Sequence, residues 1–328
     1  QNLINLLSQI GYRGSPASFS IPFIYFLMDY YYPSRGGVQA IPDLLAQCVT
    51  ENNGEIRYKT LVDKILVEDG QAAGIVLSTG ETIRSRFVVN NGDARRTYLK
   101  MLPPDSVPAS YKSRLQESSV SESAFMVYMG VDIPPEELPV QGCQHILYIP
   151  DYKPKKYNDI NSDPDFFRHI VIMISIPSLH DKTLAPQGKS VINISCSASM
   201  QSLDYWGTEN GKRTQRYKAI KEEIADQLIA NVEKIIPGLS QKIEVKITAT
   251  PFTFNRYTLN DSGTTSGWTY HPRETFNKGS KGATAYKTPI KNMYQVGHWG
   301  FSPGGATAGF VTGKIVSSSI RRKLDKDS

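Results

Sequence analysis

The chain has 328 residues, with 37 basic and 31 acidic side chains and a formal net charge of +6. At 40% hydrophobic and 21% charged it carries too much apolar sequence for global disorder, and its basic residues are scattered, which excludes a dedicated nucleic-acid binder. At roughly 150 residues per domain the length predicts about two domains, with a core large enough to need neither disulfides nor a structural metal.

Cys48, Cys143 and Cys196 form no CxxC pair. That excludes a zinc ribbon or thioredoxin-type site and predicts reduced thiols in a cytosol-like compartment. No segment reaches the ~18–20 apolar residues of a membrane-spanning helix. The basic runs at Lys153–Lys156, Lys278–Lys281 and Arg321–Lys323 read as solvated faces or as weak attraction to an anionic membrane surface. The first residue is Gln1, which reads as a piece cut from a longer protein.

In chain order, the aromatic-rich segment Ile21–Tyr32 reads as core or as the lining of a tunnel for an apolar ligand. After Gly36-Gly37, the spacing of Val38, Ile41, Leu44, Leu45, Cys48 and Val49 predicts a helix ending near Asn52-Asn53-Gly54. Three β runs follow, Lys64–Val67, Ala72–Leu77 and Thr82–Asn90, joined by glycine turns into a three-stranded meander. The end of the last strand, Phe87–Asn90, reads as buried, and Asn91-Gly92 leads into a short helix from about Asp93 to Leu102.

Pro103-Pro104 marks a boundary. Beyond it, Ala124–Val131 and His169–Ile176 are near-continuous apolar runs and predict central strands. Val191–Cys196 and Ile243–Ile247 alternate and predict half-exposed ones. Gln215–Ile236 is the strongest helical pattern, with a Lys218–Glu222 pair at i, i+4 and a stop at Pro237-Gly238. The chain closes as strand Met293–Val296, a glycine-rich turn from Gly297 to Gly305, and a helix from about Ala306 to Ile320.

Gly304 and Gly305 stand before a helix N-terminus, where unpaired N–H groups and a partial positive charge suit an anionic ligand; a purely structural turn uses the same residues. Gly300-Phe301-Ser302-Pro303-Gly304 also fits the G-x-S-x-G elbow of a serine hydrolase. That reading requires a downstream histidine, and His298 is the last in the chain. No P-loop and no H-E-x-x-H motif occurs, and the five histidines do not cluster at metal-ligand spacing.

Five segments in this order resemble one family. They are Tyr32–Gly37 with its helix, Gly54–Ile65 with the meander and Val88–Asp93, His180–Gly188, Pro251–Thr253 with Gly263–Trp268, and Asn292–Trp299 with Pro303–Gly305. Together they resemble the FAD-dependent oxidoreductases of the phytoene desaturase, carotenoid isomerase and retinol saturase group, and they do not choose among those activities. The family's G-x-G-x-x-G βαβ unit, which holds the FAD pyrophosphate, does not occur in the chain, and Ala306 stands where a third glycine is usual.

The resemblance implies an α/β protein with α+β character. Residues 33–103 and 286–328 would form the remnant of a Rossmann-like FAD domain. Residues 1–32 and 104–285 would form a substrate domain with a mixed β-sheet covered by helices. The resemblance implies FAD contacts at Val62, Asn91, Gly92, Gly297, His298, Gly304, Gly305, Ala306 and Thr307. For Val62, Asn91 and Gly92 ordinary strand and turn packing is the competing reading. Trp268 and Tyr270 are read as tunnel walls or as core aromatics, and no general acid or base is named.

The parent enzyme would exchange a hydride between the flavin and an apolar carotenoid- or retinoid-like polyene. It would be cytoplasmic or attached to a membrane surface, in a plastid if the source is a plant. The isolated chain is expected to bind FAD poorly, to be inactive and to self-associate through an unpaired strand edge. A non-catalytic module for apolar lipids is the alternative.

Overall fold

The computed structural model describes residues 35–150, 165–200, 206–269, 276, 286–301 and 305–327. In chain order the main elements are α1 (Ala40–Glu51), β1 (Val62–Glu68), β2 (Gln71–Leu77), β3 (Thr82–Arg84) and β4 (Val88–Asn90). Next come α2 (Ala94–Arg96), which runs into a π turn at Thr97–Met101, and α3 (Ala109–Glu117). Then follow β5 (Ser123–Val131), β6 (His145–Tyr148), α4 (Phe166–His169), β7 (Ile172–Ser175), β8 (Ser190–Ala198) and the short hairpin β9 (Thr208–Glu209) and β10 (Lys212–Arg213). The chain ends with α5 (Gln215–Glu233), β11 (Ile243–Ala249), α6 (Pro251–Thr258), β12 (Met293–Gln295) and α7 (Ala306–Asp327).

Two compact units form. Of the described residues, those in 35–56 and 123–253 belong to the first and those in 57–122 and 254–327 to the second. The sequence reading placed its boundaries at 33, 103/104 and 285/286 instead. The difference at the first boundary has a visible cause. The backbone N–H of Gly37 donates to Asp181 Oδ2 at 2.8 Å, and that of Gly36 donates to Thr183 Oγ1 at 3.2 Å. These bonds fasten the Gly36-Gly37 turn to the Asp181–Gly188 stretch of the sheet unit. Both glycines have positive φ, 82° and 61°, as such a turn requires.

The first unit is a five-stranded sheet in the order β11-β5-β8-β7-β6. Every pairing is antiparallel, a simpler architecture than the mixed sheet expected. Alternation sets its faces: Phe125, Val127, Met129 and Val131 of β5 are buried, as are Ile192, Ile194 and Cys196 of β8 and Ile172 and Ile174 of β7. Tyr217, Ile224, Leu228 and Val232 of α5 belong to the same core. Each such burial contributes about 1.5–3 kcal/mol before entropy is charged against it. Trp206 is fully buried and stacks on Phe125 at 6.2 Å. Thr214 caps α5 by accepting from Tyr217 N–H at 3.2 Å, and Gly238, at φ 76°, follows its end.

Two expectations change in this unit. Glu222 pairs with Lys246 of β11 at 3.0 Å, and Lys246 also pairs with Asp226 at 3.0 Å, so the acid reaches across to the sheet where an i, i+4 partner was expected. The helix α1 forms where its periodicity predicts and ends with Asn53 at φ 60°, yet none of its residues is buried. Val38, Leu44, Leu45 and Val49 are all exposed.

In the second unit β1, β2 and β3 form an antiparallel meander around the Asp69-Gly70 turn, both residues having positive φ. The predicted third strand, Thr82–Asn90, is two strands. β3 stays with β2, whereas β4 leaves the meander and pairs in parallel with β12, Val88 opposite Met293 and Asn90 opposite Gln295. Val89 of β4 is exposed, contrary to the buried strand expected. Tyr98, Leu102, Leu115, Trp268, Met293 and Trp299 are buried in this unit's main core.

Candidate functional site

A parallel strand pair puts its two carboxyl ends on the same side, and in open α/β sheets ligands bind outside those ends. The β4–β12 pair does this with Asn91-Gly92 after one strand and Gly297-His298 after the other. The ladder is extended by Val296 N–H donating to Asn90 O at 2.8 Å, which brings the two turns together. Gly297 has φ 68°, and a Cβ on it would lie 1.9 Å from the Asn91 side-chain oxygen. Glycine is required there both by the backbone and by the close approach.

Buried polar side chains fix this arrangement. Asn90 Nδ2 donates to Gln295 Oε1 at 2.8 Å and to Thr97 Oγ1 at 2.9 Å. Asn90 Oδ1 accepts from Gly92 N–H at 3.1 Å, closing the turn on itself. Gln295 Nε2 donates to Gly92 O at 3.0 Å, and Gln295 is only 1% exposed. Thr312 Oγ1, on the second turn of α7, accepts from Gly297 N–H at 2.9 Å and so ties the helix to the turn.

Gly305 precedes α7 with φ 115°, and among the described residues nothing lies within 4 Å of where its Cβ would stand. Ala306 opens the helix. Thr307 follows within it, its side chain outside the described residues, as are Gly304, Ser302 and Tyr270. The site therefore combines two backbone turns, one with glycine forced into the left-handed region, and a helix N-terminus. The N-terminal end of α7 can hold an anionic group through the helix dipole and its first N–H groups, while the N–H groups of Gly92 and Gly297 are already bonded within the protein.

His298 is half-buried, and burial holds its ring below the ordinary histidine value. Val62 opens β1 and pairs with Leu77 in the meander, a different sheet from the one that carries the turns. Trp268 is fully buried. Its indole N–H donates to Trp299 O at 3.1 Å, and its ring meets Trp299 edge-on at 4.9 Å and Phe276 in a stack at 5.0 Å, so it packs as a core aromatic. Beside the first turn, Asp93 caps α2 by accepting from Arg96 N–H at 2.7 Å. Burial raises the Asp93 carboxyl above its ordinary value, against the pull of backbone bonds from Arg96 and Asp261.

The residues missed from sequence are Asn90, Gln295 and Thr312. The signal for two of them was present: an amide at the end of each apolar run, Val88-Val89-Asn90 and Met293-Tyr294-Gln295. Among the described residues no group of histidine, cysteine and carboxylate side chains could hold a metal ion.

No protein-family model matches the chain. It is 30% identical over 294 residues to prolycopene isomerase of Daucus carota, described as chloroplastic, covering 88% of this chain and 44% of that protein. It is 28% identical to the neurosporene-forming phytoene desaturase of Rhodobacter capsulatus, covering 87% and 52%. To all-trans-retinol 13,14-reductase of Danio rerio it is 25% identical, covering 93% and 52%. The chain thus spans about half the length of the curated relatives it matches.

Among solved structures it superposes on an oxidoreductase from Methanosarcina mazei with TM-score 0.55 at 17% identity, covering 86% of this chain and 55% of that one. It superposes on a putrescine oxidase variant, also with TM-score 0.55, at 9% identity, covering 86% and 53%. These two show a shared fold. Over most of its own length the chain is similar in sequence to proteins of the phytoene desaturase, prolycopene isomerase and retinol reductase group.

Proposed function

We propose that the chain is part of an FAD-dependent oxidoreductase or isomerase that acts on an apolar polyene of carotenoid or retinoid type. The observation that carries this is the pair of turns at the carboxyl ends of β4 and β12, with Gly297 locked against Asn91 and bonded to Thr312 of the closing helix. The residues fit the cofactor. Among the described residues nothing crowds Gly305 at the start of α7, and the turns offer backbone where bulkier residues would stand in the way. Asn91, Gly92, Gly297, His298, Gly304, Gly305, Ala306 and Thr307 would hold it, with Val62 contributing from the meander. When bound, the flavin supplies hydride exchange with a carbon–carbon unit of the polyene.

The chain's own part is to bind, orient and exclude water. The N-terminal end of α7 favours negative charge beside it. The part-buried bond between Asn90 and Gln295 holds the strand ends in register while a ligand comes and goes. Half-buried His298 stays neutral at pH 7 and so adds no positive charge to the turn.

The isolated chain is proposed to bind FAD weakly and to self-associate, because a parallel pair of three-residue strands, flanked among the described residues only by the bridge of Lys287 to Tyr294, is a small sheet to stand alone. Peripheral membrane contact is supported by the exposed apolar face of α1; no helix among the described residues is long and apolar enough to cross a membrane. The test is a visible absorption spectrum of the full-length protein and of this chain, purified side by side. Flavin bands in the full-length protein, with weak or no bands here, support the reading. A full-length protein that takes up no flavin after incubation with FAD sinks it and favours a polyene-binding module without catalysis.

A further inference from the structure

The loop from Leu259 to Gly267 has a backbone that residues adopt only under constraint. Leu259 and Ser262 have φ of 58° and 54°, and Gly263 and Gly267 have φ of 63° and 72°. Its anchors run to both of the turns described above. On one side, Asp261 N–H donates to Asp93 Oδ2 at 2.7 Å, one residue beyond Gly92. The Asp261 carboxylate pairs with Arg95, which also donates to the carbonyls of Leu115 and Ser118. On the other side, Asn260 Oδ1 accepts from the Trp299 indole N–H at 3.1 Å, and Asn260 Nδ2 lies 3.5 Å from His298 Nε2 while donating to Thr264 O at 3.1 Å. Gly267 presses so close that a Cβ on it would stand 2.5 Å from His298 O.

Asn260 and Asp261 are adjacent, yet they grip different turns. Asn260 is 6% exposed, so the indole N–H it accepts has no water to replace it. We infer that Asn260 and Asp261 are positioning residues: they form a strut that sets the separation and facing of the Asn91-Gly92 and Gly297-His298 turns, and through it the fit of the cofactor. This inference rests on the flavin reading of those turns. A strut that only stabilised the fold would leave bound flavin unchanged. One that positions the turns alters how the flavin is held in a protein that stays folded.

The experiment uses the full-length protein and the variants Asn260→Ala, Asn260→Asp and Asp261→Asn. Each is titrated with FAD, its bound-flavin visible circular dichroism is recorded, and the thermal unfolding of its apoprotein is measured separately. Asn260→Ala is expected to weaken FAD binding about tenfold, the effect of one buried hydrogen bond, and to change the visible dichroism; Asp261→Asn keeps the backbone bond to Asp93 and weakens only the pair with Arg95, so it is expected to do the same to a smaller degree. Asn260→Asp keeps the acceptor for Trp299 and is expected to recover most of the affinity. Wild-type affinity and dichroism in both weakened variants would overturn the inference. So would an affinity loss that follows apoprotein unfolding while the dichroism of the bound fraction stays unchanged. A wild-type protein that binds no FAD overturns the flavin reading itself, and this inference with it.

Discussion

Gly297 stands at φ 68° with the side-chain oxygen of Asn91 where its Cβ would be, 1.9 Å away. The two residues are far apart in the chain, and the parallel pairing of β4 with β12 brings them together. That contact makes the turn intolerant of any side chain for two separate reasons, and the second can be isolated at a neighbour.

Gly297→Ala is expected to lower stability by about 1–3 kcal/mol from the left-handed backbone, with a further loss as Asn91 is displaced. At Gly300 φ is ordinary, at −96°, but a Cβ would lie 2.4 Å from the Gln295 carbonyl oxygen. Gly300→Ala therefore tests crowding alone. Denaturant unfolding of both variants separates the two costs. Equal stability of Gly297→Ala and wild type would show that the turn is not held as described.

Gln295 is buried and bonded by side chain to both Asn90 and Gly92. Gln295→Ala removes one partner from the Asn90 amide, which keeps Thr97, and one from the exposed Gly92 carbonyl, and it leaves a cavity, at an expected cost of about 1–3 kcal/mol. Hydrogen exchange would show the loss concentrated at Val296 N–H, which closes the ladder onto Asn90.

The His298 ring titrates below its ordinary value of 6.5 because burial disfavours its charged form. The unfolded chain then takes up a proton at a pH where the folded one does not. The contribution of His298 is whole above pH 6.5 and is lost progressively as the pH falls through that value toward the folded one. The neutral variant His298→Gln should lack this acid-side decline. Stability measured between about pH 8 and pH 5 for both proteins checks it; parallel curves would refute the assignment.

Cys196 is buried in β8, and burial pushes its thiol far above the usual range, whereas Cys48 and Cys143 are exposed. A thiol reagent at neutral pH is expected to modify the two exposed cysteines of the native protein quickly and Cys196 only on unfolding. Fast labelling of all three would mean that the sheet unit opens readily. Cys196→Ser should destabilise by about 1–3 kcal/mol, because it buries a hydroxyl in an apolar core.

The positions of the strands and long helices were legible because they rest on short-range chemistry. A near-continuous apolar run marks β5 and alternation marks β8 and β11, apolar spacing marks α1 and α5, and glycines mark the turns at Gly70, Gly238 and Gly297. The Gly297 turn of the site could be named for the same reason, since a left-handed backbone selects glycine wherever it lies in the chain.

Partnership was not legible. That Thr82–Asn90 splits between two sheets, that Glu222 turns to Lys246, and that α1 leaves Leu44 and Leu45 exposed all depend on which segments fold against one another. The strut is the extreme case, because its bond from Asp261 to Asp93 spans 168 residues. Local sequence dictates which groups are able to donate or accept. Only the packed chain decides which of them meet, because a buried hydrogen bond is worth making only where the rest of the fold has already excluded water from both partners.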